Sequence, residues 1–595
     1  MASSSRELPR GLRLSYLIPQ SMNTQSPTAS HYFLEALMEL GVEYLFCNLG
    51  TDHAPIIEEM ARWKKAGLRH PEVILCPHEN TAVHMAAGYA VATGQGQAVL
   101  VHVDSGTANS AMGLHNLFRT RIPVLLMAGR APFSTYGELP GCRDTYVHFI
   151  QEPFDQAGVV RPYVKWEYTL QSPAVVKEVL ARAHTVMQSD PMGPSYLMLP
   201  REILAATHDA DQVRPVDLKR NPPSKAGGAD AETIRQIAQR LLTAENPLLV
   251  TAYAGRNPET PGLIDELAQF AGIRVCEFNP VYLNIRRDSP CFAGYQPDPY
   301  VKDVDVGLLV DVDVPWIPKY TQENPDTWWA QLDVDTSKRD IPMWSFPTQL
   351  RVEGDSFKLL SQLLEELRRT ATPEFLERAK RRLAGLAEQH AQQAAADKEL
   401  AADPGAEGQI NPHYLCAVLG KLLDADDIVL NEAVRNVLPV FKQIPRTKGG
   451  TLMGMSGGGL SYSGGTALGM KLARPDRNIV QIIGDGTFYF SNPSSVYAVA
   501  RQFDLPILTV VLDNSGWSAV KQATLRMYPD GEANQQDQFS AILAPDTDMA
   551  KLAESAGAYG EVLADPADAE AAIQRCLAAV KGGQAAILQV RVSKL

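Results

Sequence analysis

Residues 478–517, NIVQIIGDGTFYFSNPSSVYAVARQFDLPILTVVLDNSGW, constrain the fold more than any other stretch of this chain. Ile479 to Ile483 is a short apolar, β-branched run that stops at Gly484-Asp485-Gly486. Asn492-Pro493 is a helix start, with a capping side chain before a proline in the first turn. Val496, Val499, Ala500 and Phe503 then recur at helical spacing. Ile507 to Leu512 is a second buried-type strand, closed by Asp513-Asn514-Ser515-Gly516. Strand, helix and strand make a βαβ unit, so the two strands are expected to be parallel and joined by a right-handed crossover. Their carboxyl ends then lie together, one carrying Asp485 and the other Asn514. A carboxylate, an amide oxygen and the carbonyls of a glycine turn are hard ligands, suited to Mg²⁺ held between protein and a diphosphate.

The same alternation recurs along the chain and predicts an α/β protein of three doubly wound, mostly parallel-sheet domains. At 595 residues the length accommodates that number. The first domain is placed at 26–205, with a helix over 31–40 and strands over 44–48, 73–75, 98–103 and 124–128. A polar segment rich in Pro, Asp, Lys and Gly follows, and it reads as a linker. The second domain is placed at 231–372 and the third at 410–595. Between them, 373–403 is rich in Ala, Glu, Arg and Gln and helical in pattern, as a strap joining the two would be. Residues 1–25 read as a disordered extension.

Net charge is −13, which argues against nucleic acid or an anionic membrane as partner. No apolar run reaches membrane-span length. The 7 cysteines form no CxxC, and their odd number without a signal peptide is expected of reduced thiols in a cytoplasmic protein.

A GDG closing one strand with Asn-x-Gly closing the next resembles the signature of thiamine-diphosphate enzymes. The resemblance implies thiamine diphosphate and Mg²⁺ as cofactors, with Asp485, Asn514 and the Gly516 carbonyl on the metal and Gly486 and Thr487 beside the diphosphate. LNEA, ending at Glu432 and Ala433, resembles the family's diphosphate-contacting turn, which acts mainly through backbone groups. GGTLMGMSGGGLSYSGGTALG is similar to its glycine-rich segment and makes Leu460 the apolar prop under the coenzyme. In the first domain, HENTAVHMAAGYAVATG resembles the pyrimidine-binding domain and makes Glu79 the carboxyl that activates the aminopyrimidine ring. Its alanines, Ala82, Ala86, Ala87 and Ala90, form a face another helix can approach closely. VHVDSGTANSAMGLHN resembles benzoylformate decarboxylase and makes His102 a proton carrier, a role suited to an imidazole near neutral pH. Thr51 takes the place of a small polar active-site residue there, with Asp52 and His53 within reach of the pocket.

The domain order, pyrimidine then central then diphosphate, is that of the acetolactate synthase and decarboxylase branch and not of transketolase. RPYVKWEYTL is similar to a segment of acetolactate synthase and puts Lys165 near the substrate channel. VDVDVPWIPKY stands where that family has its flavin-binding segment, which puts FAD in doubt. Val520 lies where pyruvate decarboxylases carry a glutamate, and the stretch from Lys521 to Gln538 reads as an active-site flap. The implied activity is decarboxylation of a small-molecule 2-oxo acid with carboligation to an aldehyde or ketone acceptor. Alternatives are release of an aldehyde, a 2-hydroxyacyl-CoA lyase or oxalyl-CoA decarboxylase type of reaction, and a non-catalytic relative. The resemblance also implies a homodimer at minimum, with Glu79 of one chain facing Asp485 of the other, and a homotetramer is expected.

Overall fold

The computed structural model describes residues 26–455 and 457–593, and the expected extension at 1–25 lies outside them. Among the described residues, no helix is long and apolar enough to cross a membrane.

The first sheet is formed by β1 (Tyr44–Asn48), β2 (Glu72–Leu75), β3 (Gln97–Val101), β4 (Val124–Arg130), β5 (Glu167–Thr169) and β6 (Ser195–Pro200). Its order is β2-β1-β3-β4-β6-β5, and every pairing is parallel. The second sheet contains β7 (Leu248–Thr251), β8 (Arg274–Glu277), β9 (Val306–Val310), β10 (Trp328–Asp333) and β11 (Leu350–Glu353). It is also all parallel, in the order β11-β10-β9-β7-β8. A small antiparallel hairpin follows, β12 (Gly405–Ala406) with β13 (Gln409–Ile410). The third sheet comprises β14 (Ile428–Glu432), β15 (Leu452–Met453), β16 (Ile479–Gly484), β17 (Leu508–Asp513), β18 (Tyr559–Leu563) and β19 (Ala586–Arg591). Its order, β15-β14-β16-β17-β19-β18, repeats that of the first sheet strand for strand.

Parallel sheets bury both faces, and their strands here are near-continuous apolar runs such as Val124–Ala128 and Leu508–Leu512. The expected strand at 98–103 is shorter: it ends at Val101, and Val103 already begins the helix Val103–Thr120. The GDG turn also differs from a simple loop, because Asp485 opens a short helix, Asp485–Phe490, with Gly484 at its cap.

Two helices occupy equivalent places in the repeated topology, Glu79–Thr93 after β2 and Tyr462–Ala473 after β15. Both are buried on every side along most of their length, so neither shows a clear amphipathic stripe. They pack on each other, and small residues set the distance. A Cβ at Gly88 would lie 2.1 Å from the Thr466 carbonyl oxygen, and one at Gly469 would lie 2.0 Å from that of Met85. The side of the first helix that carries Thr81, Met85, Gly88 and Tyr89 thus meets Gly465, Thr466 and Gly469 of the second, and these contacts fall beside the expected alanine positions and not on them.

The helix Pro373–Leu400 joins the second and third sheets' layers as expected of a strap. Arg382 on it donates to the carbonyls of Ala244, Ala271 and Gly272, while Asp397 pairs with Lys442 at 2.8 Å.

Candidate active site

In an open parallel sheet, ligands collect outside the carboxyl ends of strands where successive connections leave in opposite directions. In the third sheet that point lies between β14 and β16, and in the first between β1 and β3. Register then decides which residues meet there. Glu432 pairs with Ile483, so Ala433 emerges beside the GDG segment. Gly484 pairs with Leu512, so Asp485 emerges level with Asp513 and next to Asn514.

Asp485 is 2% exposed, and its Oδ2 has no hydrogen-bond partner. Burial, then the neighbouring Asp513 carboxylate, push its pKa up to about 6, against the pull of the Gly486 and Gly516 N–H groups. Asp513 has a cation of its own, Arg591, whereas the Asp485 oxygen has none, and a buried carboxylate oxygen is costly unless a cation satisfies it. The Asn514 side-chain oxygen accepts from the Gly516 N–H at 3.1 Å and is held beside it. Gly486, Thr487 and Gly516 are buried around the same turn. A Cβ at Gly486 would strike the Trp517 ring at 2.4 Å, so the backbone approaches that ring closely. Among the described residues no group of three or more His, Cys, Asp or Glu side chains could chelate a metal alone. The donors here are one carboxylate, one amide oxygen and carbonyls, a set that fits Mg²⁺ sharing its remaining positions with phosphate oxygens.

Glu432 has a different occupation from the backbone contact expected of its turn. Its carboxylate accepts from the N–H groups of Ser461, Tyr462 and Ser463 and from the Ser463 hydroxyl, capping the helix Tyr462–Ala473. Burial raises its pKa to about 7, although each of these donors lowers it. Ser461 has φ of 80°, in the left-handed region, and the carboxylate holds it there. Ala433 is buried and Leu460 half-buried just before this cap. The glycine-rich loop reaches the first sheet's layer, where Gly459 N–H donates to the Asn116 side-chain oxygen at 3.0 Å and Ser461 Oγ accepts from Asn80 at 2.9 Å.

Glu79 begins the buried helix Glu79–Thr93 and is 6% exposed. Its Oε2 accepts from Asn109 Nδ2 at 2.9 Å. Asn109 lies on the helix Val103–Thr120, whose cap is His102. Seven residues of α-helix separate the two, roughly 10 Å along the axis, so one helix serves both Glu79 and His102. Among the described residues Glu79 and Asp485 of one chain share no hydrogen bond or ion pair.

His102 follows β3, and Asp52 follows the adjacent β1. The His102 Nδ1 lies 2.6 Å from Asp52 Oδ1, and its Nε2 lies 3.1 Å from the Gln151 side-chain oxygen. The hydrogen bond to Asp52 raises the His102 pKa, against partial burial. The N-terminus of a helix opposes a cation by about 0.3–1 kcal/mol. A charged hydrogen bond contributes about 1.5–3 kcal/mol, so the carboxylate wins. Burial pushes the Asp52 carboxyl up, but the His102 hydrogen bond and charge and the Val103 N–H pull it down and hold it ionised. Thr51 turns elsewhere, its hydroxyl 3.2 Å from His148 Nε2. Lys165, expected near the substrate channel, donates its ammonium at 2.6 Å to the Val186 and Ser189 carbonyls, at the end of the helix Val176–Gln188.

The expected flap is largely helical, Ser518–Met527 and Glu532–Gln535, and neither helix has a buried residue in the single chain. At the corresponding strand ends of the second sheet, Lys338 pairs with Asp333 and Asp313 at 2.6 and 2.7 Å, and Arg121 from the first layer pairs with Asp313 at 2.9 Å. Asn109 and Gln151 are partners to which the sequence alone assigns no role, and Asp52, expected within reach of the pocket, is the partner of His102. Only Asp52 carries a signal, as a carboxylate one residue beyond a Gly-Thr strand end.

Residues 27–159 match the N-terminal TPP binding domain of thiamine pyrophosphate enzymes, and residues 440–590 match the C-terminal one. The chain belongs to the thiamine-diphosphate-dependent enzymes. Within them it is similar to the acetolactate synthase isozyme 3 large subunit of Escherichia coli, 25% identical over 94% of each chain. It is 24% identical to benzoylformate decarboxylase of Pseudomonas aeruginosa over 92% of this chain and 96% of the relative. Oxalyl-CoA decarboxylase of Escherichia coli is 25% identical over 83% of this chain and 84% of that one. The fold of this chain matches that of the thiamine diphosphate-dependent 4-hydroxybenzoylformate decarboxylase of Rhodococcus jostii with a TM-score of 0.76 at 20% identity, covering 96% of this chain and all of that one.

Proposed function

We propose that the chain decarboxylates a 2-oxo acid with thiamine diphosphate and Mg²⁺, and joins the product to a second carbonyl as acetolactate synthase does. The observation that carries this reading is the Asp485 oxygen, buried, unpartnered and next to Asn514 at two adjacent strand ends. Asp485, Asn514 and the Gly516 carbonyl would hold the metal, and Ala433, Gly486 and Thr487 would border the diphosphate. When bound, the coenzyme supplies a nucleophilic carbon and takes up the electron pair left by CO₂. Glu79 would hold a proton at the aminopyrimidine ring, with Asn109 fixing its carboxyl. Leu460 would support the coenzyme between its ends. The resemblance places Glu79 of one chain opposite Asp485 of another, so the working form is proposed to be a homodimer or a homotetramer built from such dimers.

A second reading, release of an aldehyde as in benzoylformate decarboxylase, is favoured by the oriented His102, because that outcome ends on a proton delivered to carbon. Thiamine diphosphate, Mg²⁺ and a panel of 2-oxo acids, each with and without aldehyde acceptors, distinguish the outcomes when CO₂ and organic product are measured together. CO₂ release is expected to require both cofactors, and Glu79→Gln to lower it by at least about tenfold, roughly 1.4 kcal/mol of barrier. A cofactor-loaded protein that releases no CO₂ from any member of the panel, or undiminished turnover in Glu79→Gln, would overturn the reading.

A further inference from the structure

The Asp52–His102 pair is built into the first sheet and is not a chance surface contact. Asp52 is 1% exposed and is approached from three sides. Its Oδ1 meets His102 Nδ1 at 2.6 Å, while its Oδ2 lies 3.3 Å from the Val103 N–H and 3.2 Å from His53 Nε2. His53 is fully buried, and its Nδ1 accepts from the Gly50 N–H at 3.0 Å. Its proton therefore sits on Nε2, on the side of the carboxylate, as a neutral imidazole. Two glycines make room for this arrangement. A Cβ at Gly50 would fall 1.9 Å from His102 Nδ1, and one at Gly129, on β4, would fall 1.4 Å from Asp52 Oδ2. No side chain at either position could coexist with the pair.

We propose that Asp52 is a positioning residue that holds His102 with a proton on Nδ1 and keeps its Nε2–H ready to donate to the substrate carbon that has lost CO₂. The proposal rests on the thiamine-diphosphate reading above, in its aldehyde-releasing form, and deepens it. An ionised carboxylate only accepts, so Nδ1 must keep its proton throughout turnover. In the donating step the Nε2–H bond breaks, its electron pair stays on nitrogen, and the proton forms the new C–H bond. The neutral imidazole then regains a proton from solvent, so no oxidant or further reactant is needed. Before the step, Nε2 is held by the Gln151 side-chain oxygen. The charged and titratable groups around His102 are Asp52, the neutral His53 behind it and Asp104 at the helix start, and Asp52 also acts on His148 of the next loop, beside Arg201, Asp144 and Arg143.

The test reads His102 directly as well as through turnover. Diethylpyrocarbonate modifies only the neutral imidazole, so its rate on the His102 peptide against pH, followed by mass spectrometry on the holoenzyme, reports the protonation of that ring. In the wild-type enzyme the half-point is expected above about 6.5, the ordinary histidine value. Asp52→Asn, which preserves shape and removes the charge, should move it down by about one unit or more. The alkaline limb of the kcat profile should move down with it, kcat should fall by about tenfold or more, and Asp52→Glu should recover part of both. The melting-temperature gain on adding thiamine diphosphate and Mg²⁺ should be unchanged in Asp52→Asn. A wild-type half-point at or below the ordinary value overturns the proposal without any variant, and so does an Asp52→Asn enzyme whose pH profile does not move. Loss of the cofactor-induced gain in the wild-type protein would instead overturn the functional reading beneath it.

Discussion

A single oxygen at Asp485 concentrates the chemistry of the third sheet's strand ends. The carboxyl is buried beside Asp513, and its pKa is raised to about 6. Raising the pKa of an acid on folding means that the folded state prefers its neutral form. In the cofactor-free protein this group's contribution to stability is fully present below the ordinary aspartate range and is lost as pH rises through about 6. A bound cation needs the ionised form and reverses the dependence. The gain in melting temperature on adding thiamine diphosphate and Mg²⁺ is therefore expected to be large near neutral pH and to shrink as pH falls through about 6. Asp485→Ala should show little gain at any pH. Thermal unfolding from about pH 5 to pH 8, with and without cofactors, checks both. A gain in Asp485→Ala equal to that of the wild type would place the metal elsewhere.

At the scale of elements, the site depends on how two buried helices begin. The helix Glu79–Thr93 carries Glu79 in its first turn, and Tyr462–Ala473 starts where the glycine-rich loop ends. The Glu432 carboxylate sets that start by taking three backbone N–H groups and a hydroxyl. Glu432→Ala is expected to leave these buried donors unsatisfied and to cost about 2 kcal/mol or more, seen as a fall of several degrees in melting temperature without cofactor. It should weaken thiamine diphosphate as well, because Leu460 and Ala433 lie on the two segments the carboxylate ties together. Glu432→Gln, which keeps an acceptor oxygen, should lose less. If Glu432→Ala lowers cofactor affinity with no change in cofactor-free stability, the side chain acts on the ligand and not as a cap.

At the scale of the molecule, the first and third sheets share one topology and face each other through these helices, and the second sheet is anchored by Arg121 and by the strap helix. Each chain carries one half-site around Glu79 and another around Asp485. If the halves combine across two chains, Glu79→Gln and Asp485→Ala are each inactive alone but complement each other. Mixed dimers keep both wild-type residues in one of their two sites, so after purification through both tags they should recover up to about half of wild-type turnover if the two sites are equal and independent. Co-expression of the two variants with different tags, purification through both, and measurement of CO₂ release check this. An inactive mixed dimer would mean that one chain supplies both residues.

Much of this protein is legible along the chain because its signals are local. Alternating strands and helices, glycine turns at strand ends and a proline at a helix start each depend on a few neighbouring residues. These alone bring Asp485 and Asn514 together, since a βαβ crossover leaves two parallel strands with their carboxyl ends at one edge. The small residues of the Glu79 helix likewise announce a close partner, which meets it beside the alanines and not on them. What that partner is was decided only by the tertiary structure, which brings Asn80 to Ser461 across 381 residues. Strand order decided the rest. Because β1 lies against β3, Asp52 and His102, 50 residues apart, become a hydrogen-bonded pair, and because β14 lies against β16, Glu432 reaches a helix start some 30 residues on. A side chain's own sequence neighbourhood fixes where its strand ends. Which buried donor or acceptor it must satisfy there depends on the strand laid beside it, and that pairing is a property of the whole packed sheet.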